Sequence, residues 1–122
     1  MPVVSRLHSV RPWTTRDQSE IRELVHPSLH GNRNQSLAEA RVRPGQRTRL
    51  HRHHASEEIY HITRGQGRMT LEQECFAVSA GDSIVIPPGS RHCIENTGTD
   101  DLRLLCLCAP AYSHADTELL DE

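Results

Sequence analysis

The segment richest in histidine and carboxylate side chains reads Gly45-Gln46-Arg47-Thr48-Arg49-Leu50-His51-Arg52-His53-His54-Ala55-Ser56-Glu57-Glu58. On a β-strand, residues two positions apart face the same side, with Cα atoms about 6.6 Å apart. We therefore expect His51 and His53 to point into a barrel while Arg52 points outward. The four-residue connection after His53 is long enough to let Glu58 return on a neighbouring strand with its side chain directed inward.

A third histidine, His92, follows the turn Pro87-Pro88-Gly89, which directs the next strand back toward the same cavity. Three imidazoles and one carboxylate suit Fe, Mn, Ni, Co or Zn, with one or two coordination positions left for substrate, oxygen or water. Glu57 is an alternative to Glu58, since a one-residue slip in the turn exchanges the two carboxylates. The pattern predicts one divalent transition metal.

Short strands separated by glycine, proline and acidic turns continue on both sides of this segment, from residue 35 onward. Alternation of Ala38, Ala40 and Val42 with charged residues predicts a half-buried strand. The apolar run at residues 84–86 predicts a strand covered on both faces. Further strands are predicted at residues 58–63, 68–71, 75–78 and 102–109. Strands at this spacing indicate a β-sandwich or barrel.

The composition restricts the chemistry that the chain can carry. Its 122 residues are enough for one domain with a modest core. All 14 positively charged side chains are arginine, because the sequence contains no lysine. A Schiff-base nucleophile, a lysine-bound pyridoxal cofactor and a Walker P-loop are therefore excluded.

Charge and hydropathy favour a small-molecule partner over a polymer or a lipid surface. The formal net charge of −2 argues against broad binding to nucleic acid, and no apolar run reaches the roughly 20 residues needed to span a bilayer. The first ten residues lack the apolar region of a signal peptide, so we expect a cytoplasmic protein whose four cysteines are thiols. No nucleic-acid or membrane partner is predicted.

Two longer motifs resemble the signatures of the cupin superfamily. Residues 45–65 read G-x5-H-x-H-x4-E-x6-G, and residues 81–96 read G-x5-P-x-G-x2-H-x3-N, with 15 residues between them. The resemblance implies an all-β, single-domain jelly-roll barrel and a homodimer, and it favours a strand over residues 19–25, where spacing alone leaves helix or strand open. It also assigns the metal-ligand role to His51, His53, Glu58 and His92. The distance from Gly65 favours Glu58 over Glu57.

The predicted strands and the two motifs place a barrel at residues 35–110. We expect an N-terminal segment at residues 1–34 to pack on it and a polar C-terminal tail at residues 111–122 to follow it. A cupin resemblance does not specify a substrate, because one barrel serves many reactions. Our leading hypothesis is a metalloenzyme of the dioxygenase, isomerase or lyase type that acts on a small anionic molecule such as a hydroxy- or keto-acid. The alternative is a cupin that binds or senses a small molecule without turnover.

Other side chains have two interpretations each. Tyr60 has the same strand parity as Glu58 and is our candidate catalytic residue, either as a hydrogen-bond donor to substrate or as a packing residue. Four arginines near the predicted ligands either hold an anionic substrate or form a solvated rim: Arg47, Arg49, Arg52 and Arg91. Cys106 and Cys108 share one face of the last strand, which favours core packing over metal ligation.

Overall fold

The computed structural model describes residues 1–121, and most of its regular structure is β-strand. A 3₁₀ turn covers Leu7–Ser9, and a one-turn helix, α1, covers Pro27–His30. The strands are β1 (Trp13–Thr14), β2 (Glu20–Val25), β3 (Ser36–Val42), β4 (His51–His53), β5 (Glu57–Arg64), β6 (Gln66–Leu71), β7 (Glu74–Ser79), β8 (Ser83–Ile86), β9 (His92–Asn96), β10 (Leu102–Ala109) and β11 (Thr117–Leu119). None of the described helices is long and apolar enough to cross a membrane.

The strands of residues 1–121 form two antiparallel sheets. The larger sheet has the order β1-β2-β3-β10-β5-β8, and the smaller sheet has the order β11-β4-β9-β6-β7. Non-consecutive strands lie side by side in both sheets, as in a jelly roll. The prediction of an all-β, single-domain jelly roll is confirmed.

The core lies between the inward faces of the two sheets. Strand β5 alternates between exposed and buried side chains, with Tyr60 and Ile62 directed inward. Met69 and Ile94 from the smaller sheet and Leu104 from the larger sheet join this core, and each of the three is at most 1% exposed. This two-residue periodicity gives each sheet one apolar face, and burying those faces drives the sheets together.

Strand β8 differs from its prediction. Ile84 and Ile86 are buried, but Val85 between them is 65% exposed, so the expectation of a strand covered on both faces is wrong. The strand is the edge of the larger sheet and pairs with β5 alone. Because only one face of that sheet packs against the smaller sheet, the middle residue of the run points outward.

Strands that precede β3 and follow β10 in sequence extend one edge of each sheet. Residues 20–25 form a strand, β2, rather than a helix, and β1 pairs with it. Near the other end of the chain, β11 pairs with β4. The turn between β1 and β2 and the start of β11 therefore lie beside the histidines of β4.

Candidate metal centre

Two neighbouring strands of the smaller sheet carry the three histidines. His51 and His53 occupy the ends of β4 and are 3% and 4% exposed, whereas Arg52 between them is half-buried. His92 is the first residue of β9, and its Cα lies opposite that of His51. Strand alternation and register together place three imidazoles on one inward face.

The carboxylate comes from the larger sheet. Glu58 on β5 is 5% exposed, whereas Glu57 is exposed. The turn that leads into β5 is held by Asp116, whose carboxylate oxygens accept hydrogen bonds from the backbone N–H groups of Ala55 and Ser56 at 2.8 and 3.1 Å. Of the two alternative carboxylates, Glu58 is the one that faces the histidines.

Each imidazole is oriented through its Nδ1 atom. Nδ1 of His51 lies 2.7 Å from the carbonyl oxygen of Arg49, Nδ1 of His53 lies 2.9 Å from Oγ1 of Thr117, and Nδ1 of His92 lies 2.9 Å from the carbonyl oxygen of Ser90. A carbonyl oxygen can only accept, and the Thr117 hydroxyl already donates to the Ser113 carbonyl. All three Nδ1 atoms therefore carry the ring proton, so each neutral ring presents a lone pair at Nε2.

These lone pairs converge on Glu58. Its Oε1 atom lies 3.3 Å from Nε2 of His53 and 3.2 Å from Nε2 of His92, and one ligand atom from each of the four residues lies within 4.8 Å of the others. Within residues 1–121, Oε1 of Glu58 and Nε2 of His92 are buried without a hydrogen-bond partner. Lone pairs that face each other in a buried site require a cation between them. The His51, His53, Glu58 and His92 cluster fits a divalent metal.

Burial and mutual charge also set the protonation states of the cluster. Burial, reinforced by the charge of His92, lowers the pKa of His51 to about 4. Burial acts to raise the pKa of Glu58, but the Nε2–H groups and positive charges that His53 and His92 carry when protonated outweigh burial and hold that pKa well below the usual range. At neutral pH, His51 is therefore neutral and Glu58 is ionised, and these are the forms that bind a cation.

A small cavity opens from the cluster toward the larger sheet. Its volume is about 50 Å³. Most of its wall is apolar, and the apolar lining includes Ile21, Ala38, Ala40, Val42, Ile94 and Leu104. Tyr60 also lines the cavity, with its ring centroid 5.7 Å from that of His92. Three of the four ligands, His51, His53 and Glu58, thus line a space large enough for a ligand of few atoms.

The two cysteines of β10 border the same cavity. Cys106 and Cys108 both line it, and the Cys108 thiol donates a hydrogen bond to Oε2 of Glu58 at 3.3 Å. Burial, together with the charge of Glu58, raises the pKa of both thiols. Each sulfur therefore stays protonated, and Cys108 supports the Glu58 carboxylate as a donor.

The arginines near the ligands in sequence lie outside the cavity. No arginine is among the described residues that line it. Three of the four form ion pairs on the surface, Arg49 with Asp121, Arg52 with Glu118 and Arg91 with Glu72. Arg47 is exposed. Of the two interpretations, a solvated rim fits this arrangement.

Sequence reasoning missed the residues that the flanking segments bring to the site. Asp17, from the turn between β1 and β2, places its Oδ2 atom 3.7 Å from Nε2 of His51. Tyr112 packs edge-to-face against His53, with ring centroids 5.8 Å apart, and Thr117 contacts the same histidine. Only the Asp-x-Ser sequence at residues 17–19, which is typical of a side-chain-capped turn, hinted at an ordered structure there.

The chain belongs to the cupin family, since the family model for the cupin domain matches residues 38–108. An uncharacterized protein from Methanocaldococcus jannaschii is 52% identical over 112 residues, which cover 92% of this chain and 90% of that protein. An oxalate-binding protein from Thermotoga maritima is 32% identical over 88 residues, which cover 72% of this chain and 73% of that protein. The crystal structure of a predicted oxalate decarboxylase from Thermotoga maritima superposes with a TM-score of 0.78 and 27% identity, covering 88% of this chain and 98% of that one.

Proposed function

We propose that the protein is a metal-dependent enzyme that acts on a small oxygen-bearing molecule such as a hydroxy- or keto-acid. The observation that carries the proposal is the position of the His51, His53, Glu58 and His92 cluster, which borders an apolar cavity instead of being sealed in the core. These four residues would hold one Fe, Mn, Ni, Co or Zn ion. When bound, the ion supplies Lewis-acid polarisation of a substrate oxygen or, if it is iron, oxygen chemistry.

The charges around the cavity limit the substrate. Asp17, Glu23 and Glu58 are among the described lining residues, and arginine is not. With no arginine in the described lining, a substrate carboxylate would have the metal as its cationic partner, so we propose a ligand with at most one carboxylate and a neighbouring hydroxyl or keto oxygen. A volume of about 50 Å³ favours a molecule of few heavy atoms.

We assign Tyr60 the role of a hydrogen-bond donor to the substrate. Its side chain is 3% exposed and lies beside both His92 and Glu58. Burial, reinforced by the charge of Glu58, raises the pKa of its hydroxyl well above the ordinary value. The hydroxyl therefore keeps its proton at neutral pH and donates it in a hydrogen bond to an oxygen of the bound molecule.

The second candidate is a binding module without turnover. It is favoured by the similarity to the oxalate-binding protein from Thermotoga maritima, which is named for binding and not for a reaction. The same four ligands would then hold a metal whose open positions capture a small molecule. We further propose that the protein is a cytoplasmic homodimer. Each chain would consist of an N-terminal segment at residues 1–34, a barrel at residues 35–110 and a C-terminal tail at residues 111–122.

Metal analysis of protein purified without chelators tests the metal site. We expect about one equivalent of metal per chain in the wild type and a clear loss in His51→Ala. His54→Ala is the matched control, because this neighbouring histidine is exposed and pairs with Glu118. The absence of metal from the wild type, with His51→Ala behaving identically, would overturn the proposal.

Incubation of the metal-loaded protein with hydroxy- and keto-acids, with and without oxygen, separates the two candidates. Product formation that is lost in His51→Ala supports an enzyme. A rise in unfolding temperature without any product supports a binding module. Tyr60→Phe is expected to weaken turnover or ligand affinity while leaving metal content unchanged, since the phenyl ring retains the packing against His92.

A further inference from the structure

Asp17 is the carboxylate outside the metal cluster that lies nearest to it in the described chain. Its Oδ2 atom is 3.7 Å from Nε2 of His51, the nitrogen that faces the proposed metal. Its side chain is 13% exposed and lines the cavity. Asp17 therefore borders the same space that a molecule bound to the metal would occupy.

The turn around Asp17 fixes the direction of this carboxylate. Oδ1 accepts hydrogen bonds from the backbone N–H and the hydroxyl of Ser19 at 3.0 and 2.6 Å, and Ser19 itself is 3% exposed. The backbone carbonyl of Asp17 accepts from the N–H of Arg49 at 2.8 Å, which ties the turn to the segment that leads into β4. With Oδ1 occupied in the turn, Oδ2 is the oxygen free to face the cavity.

The negative charge of Asp17 acts on the groups that enter the cavity. Oδ2 of Asp17 lies 3.7 Å from Nε2 of His51 on the smaller sheet, and Asp17 lines the same cavity as Tyr60 on the larger sheet. Because the described lining of this small cavity includes no arginine, the charge of Asp17 is poorly screened. A ligand binds more tightly if the group beside Oδ2 donates a hydrogen bond, and less tightly if that group carries negative charge.

We propose that Asp17 determines specificity, by making the cavity accept a ligand hydroxyl and reject a second carboxylate. The premise is the metal-dependent function proposed above. Bound through one carboxylate, an α-hydroxy acid presents its hydroxyl as a donor to Oδ2. A dicarboxylate of similar size presents a second negative charge at the same place.

The test compares glycolate with oxalate, which has a second carboxylate in place of the hydroxymethyl group. Protein loaded with Co²⁺ is titrated with each ligand, and the visible absorption of the metal gives the two dissociation constants. The wild type is compared with Asp17→Asn, which keeps an Oδ1 acceptor for Ser19 and removes the charge. Glu74→Gln, an exposed carboxylate-to-amide change at the start of β7, is the matched control.

We expect Asp17→Asn to shift the ratio of the two affinities toward oxalate by about tenfold or more, and Glu74→Gln to leave the ratio unchanged. Because each ratio is measured within one variant, a change in the folded fraction cancels. An unchanged ratio in Asp17→Asn would overturn the role of Asp17 while leaving the metal site intact. Failure of the wild type to bind Co²⁺ would instead overturn the proposed function and this inference with it.

Discussion

The hydrogen bond from Cys108 to Glu58 links a core residue to the metal ligands. The thiol is 2% exposed, and it donates to the carboxylate oxygen that does not face His53 and His92. We expect Cys108→Ala to reduce metal affinity by about tenfold, because Glu58 loses the contact that orients it. Cys108→Ser, which keeps a donor, should retain most of the affinity.

Competition with a chelating dye measures these affinities. The exposed Cys75 provides a control, and Cys75→Ser is expected to bind metal like the wild type. Equal affinities for the alanine and serine variants at position 108 would contradict a donor role for the thiol.

Gly65 illustrates a backbone requirement that is independent of the metal. Its φ is +86°, and a Cβ added there would lie 2.7 Å from the carbonyl oxygen of Asp101. Gly81 has a similar φ of +98° but no atom within 4 Å of such a Cβ. We expect Gly65→Ala to lower the free energy of unfolding by about 3 kcal/mol or more and Gly81→Ala by about 1 kcal/mol, measured by urea denaturation. Equal losses would mean that the close approach at Gly65 is relieved by a small backbone shift.

Sequence patterns predicted that His51, His53 and Glu58 face one cavity, but no pattern predicted that Asp17 lies beside them. His51 and His53 follow from two-residue periodicity, and Glu58 follows from the length of one turn. Asp17 lies more than thirty residues before His51. Its approach depends on how the β1–β2 turn packs against β4, and no local pattern encodes that packing.

The connection between β4 and β5 depends on a residue from the last part of the chain. Asp116 accepts hydrogen bonds from Ala55 and Ser56 and so holds the turn that places Glu58. We expect Asp116→Asn to lower the free energy of unfolding by about 1–2 kcal/mol at pH 7. The exposed Asp100 supplies the control variant, Asp100→Asn.

The loss of unfolding free energy in Asp116→Asn should depend on pH. Burial acts to raise the pKa of Asp116, but its hydrogen bonds outweigh burial and hold the pKa below the ordinary value of 3.8. A carboxylate with a lowered pKa in the folded state stabilises the protein above its ordinary pKa, and that contribution is lost as the pH falls through the folded value. Urea denaturation at pH 7 and pH 3 should therefore give a smaller difference between Asp116→Asn and wild type at pH 3. A difference that does not shrink would contradict the ionic role.

The position of β8 at the edge of the larger sheet explains why the prediction that both of its faces are covered was wrong. An apolar run of three predicts a strand between two layers, but β8 ends the larger sheet and exposes Val85. Which strand lies at an edge depends on pairings between distant segments, such as β5 with both β8 and β10. Local periodicity gives the alternation of a strand and carries no information about its neighbours.

Across the molecule, the proposed metal would connect the two sheets. His51, His53 and His92 belong to the smaller sheet, and Glu58 belongs to the larger one. A metal held by both layers binds the folded state and not the unfolded chain, so binding should raise global stability. We expect Zn²⁺ at one hundred times its dissociation constant to raise the free energy of unfolding by about 2.7 kcal/mol, and excess chelator to reverse the gain.

The stabilisation by Zn²⁺ should depend on the four proposed ligands and not on other histidines. His92→Ala should lose most of the gain, because it removes one of the three metal-facing nitrogens, whereas His54→Ala should keep it, because His54 is exposed. Thermal and urea unfolding of each variant, with Zn²⁺ and with chelator, measure the difference. Equal stabilisation of the two variants would mean that Zn²⁺ binds elsewhere on the surface. A gain confined to proteins with all four ligands would locate the ion between the sheets, where the lone pairs of His92 and Glu58 face each other.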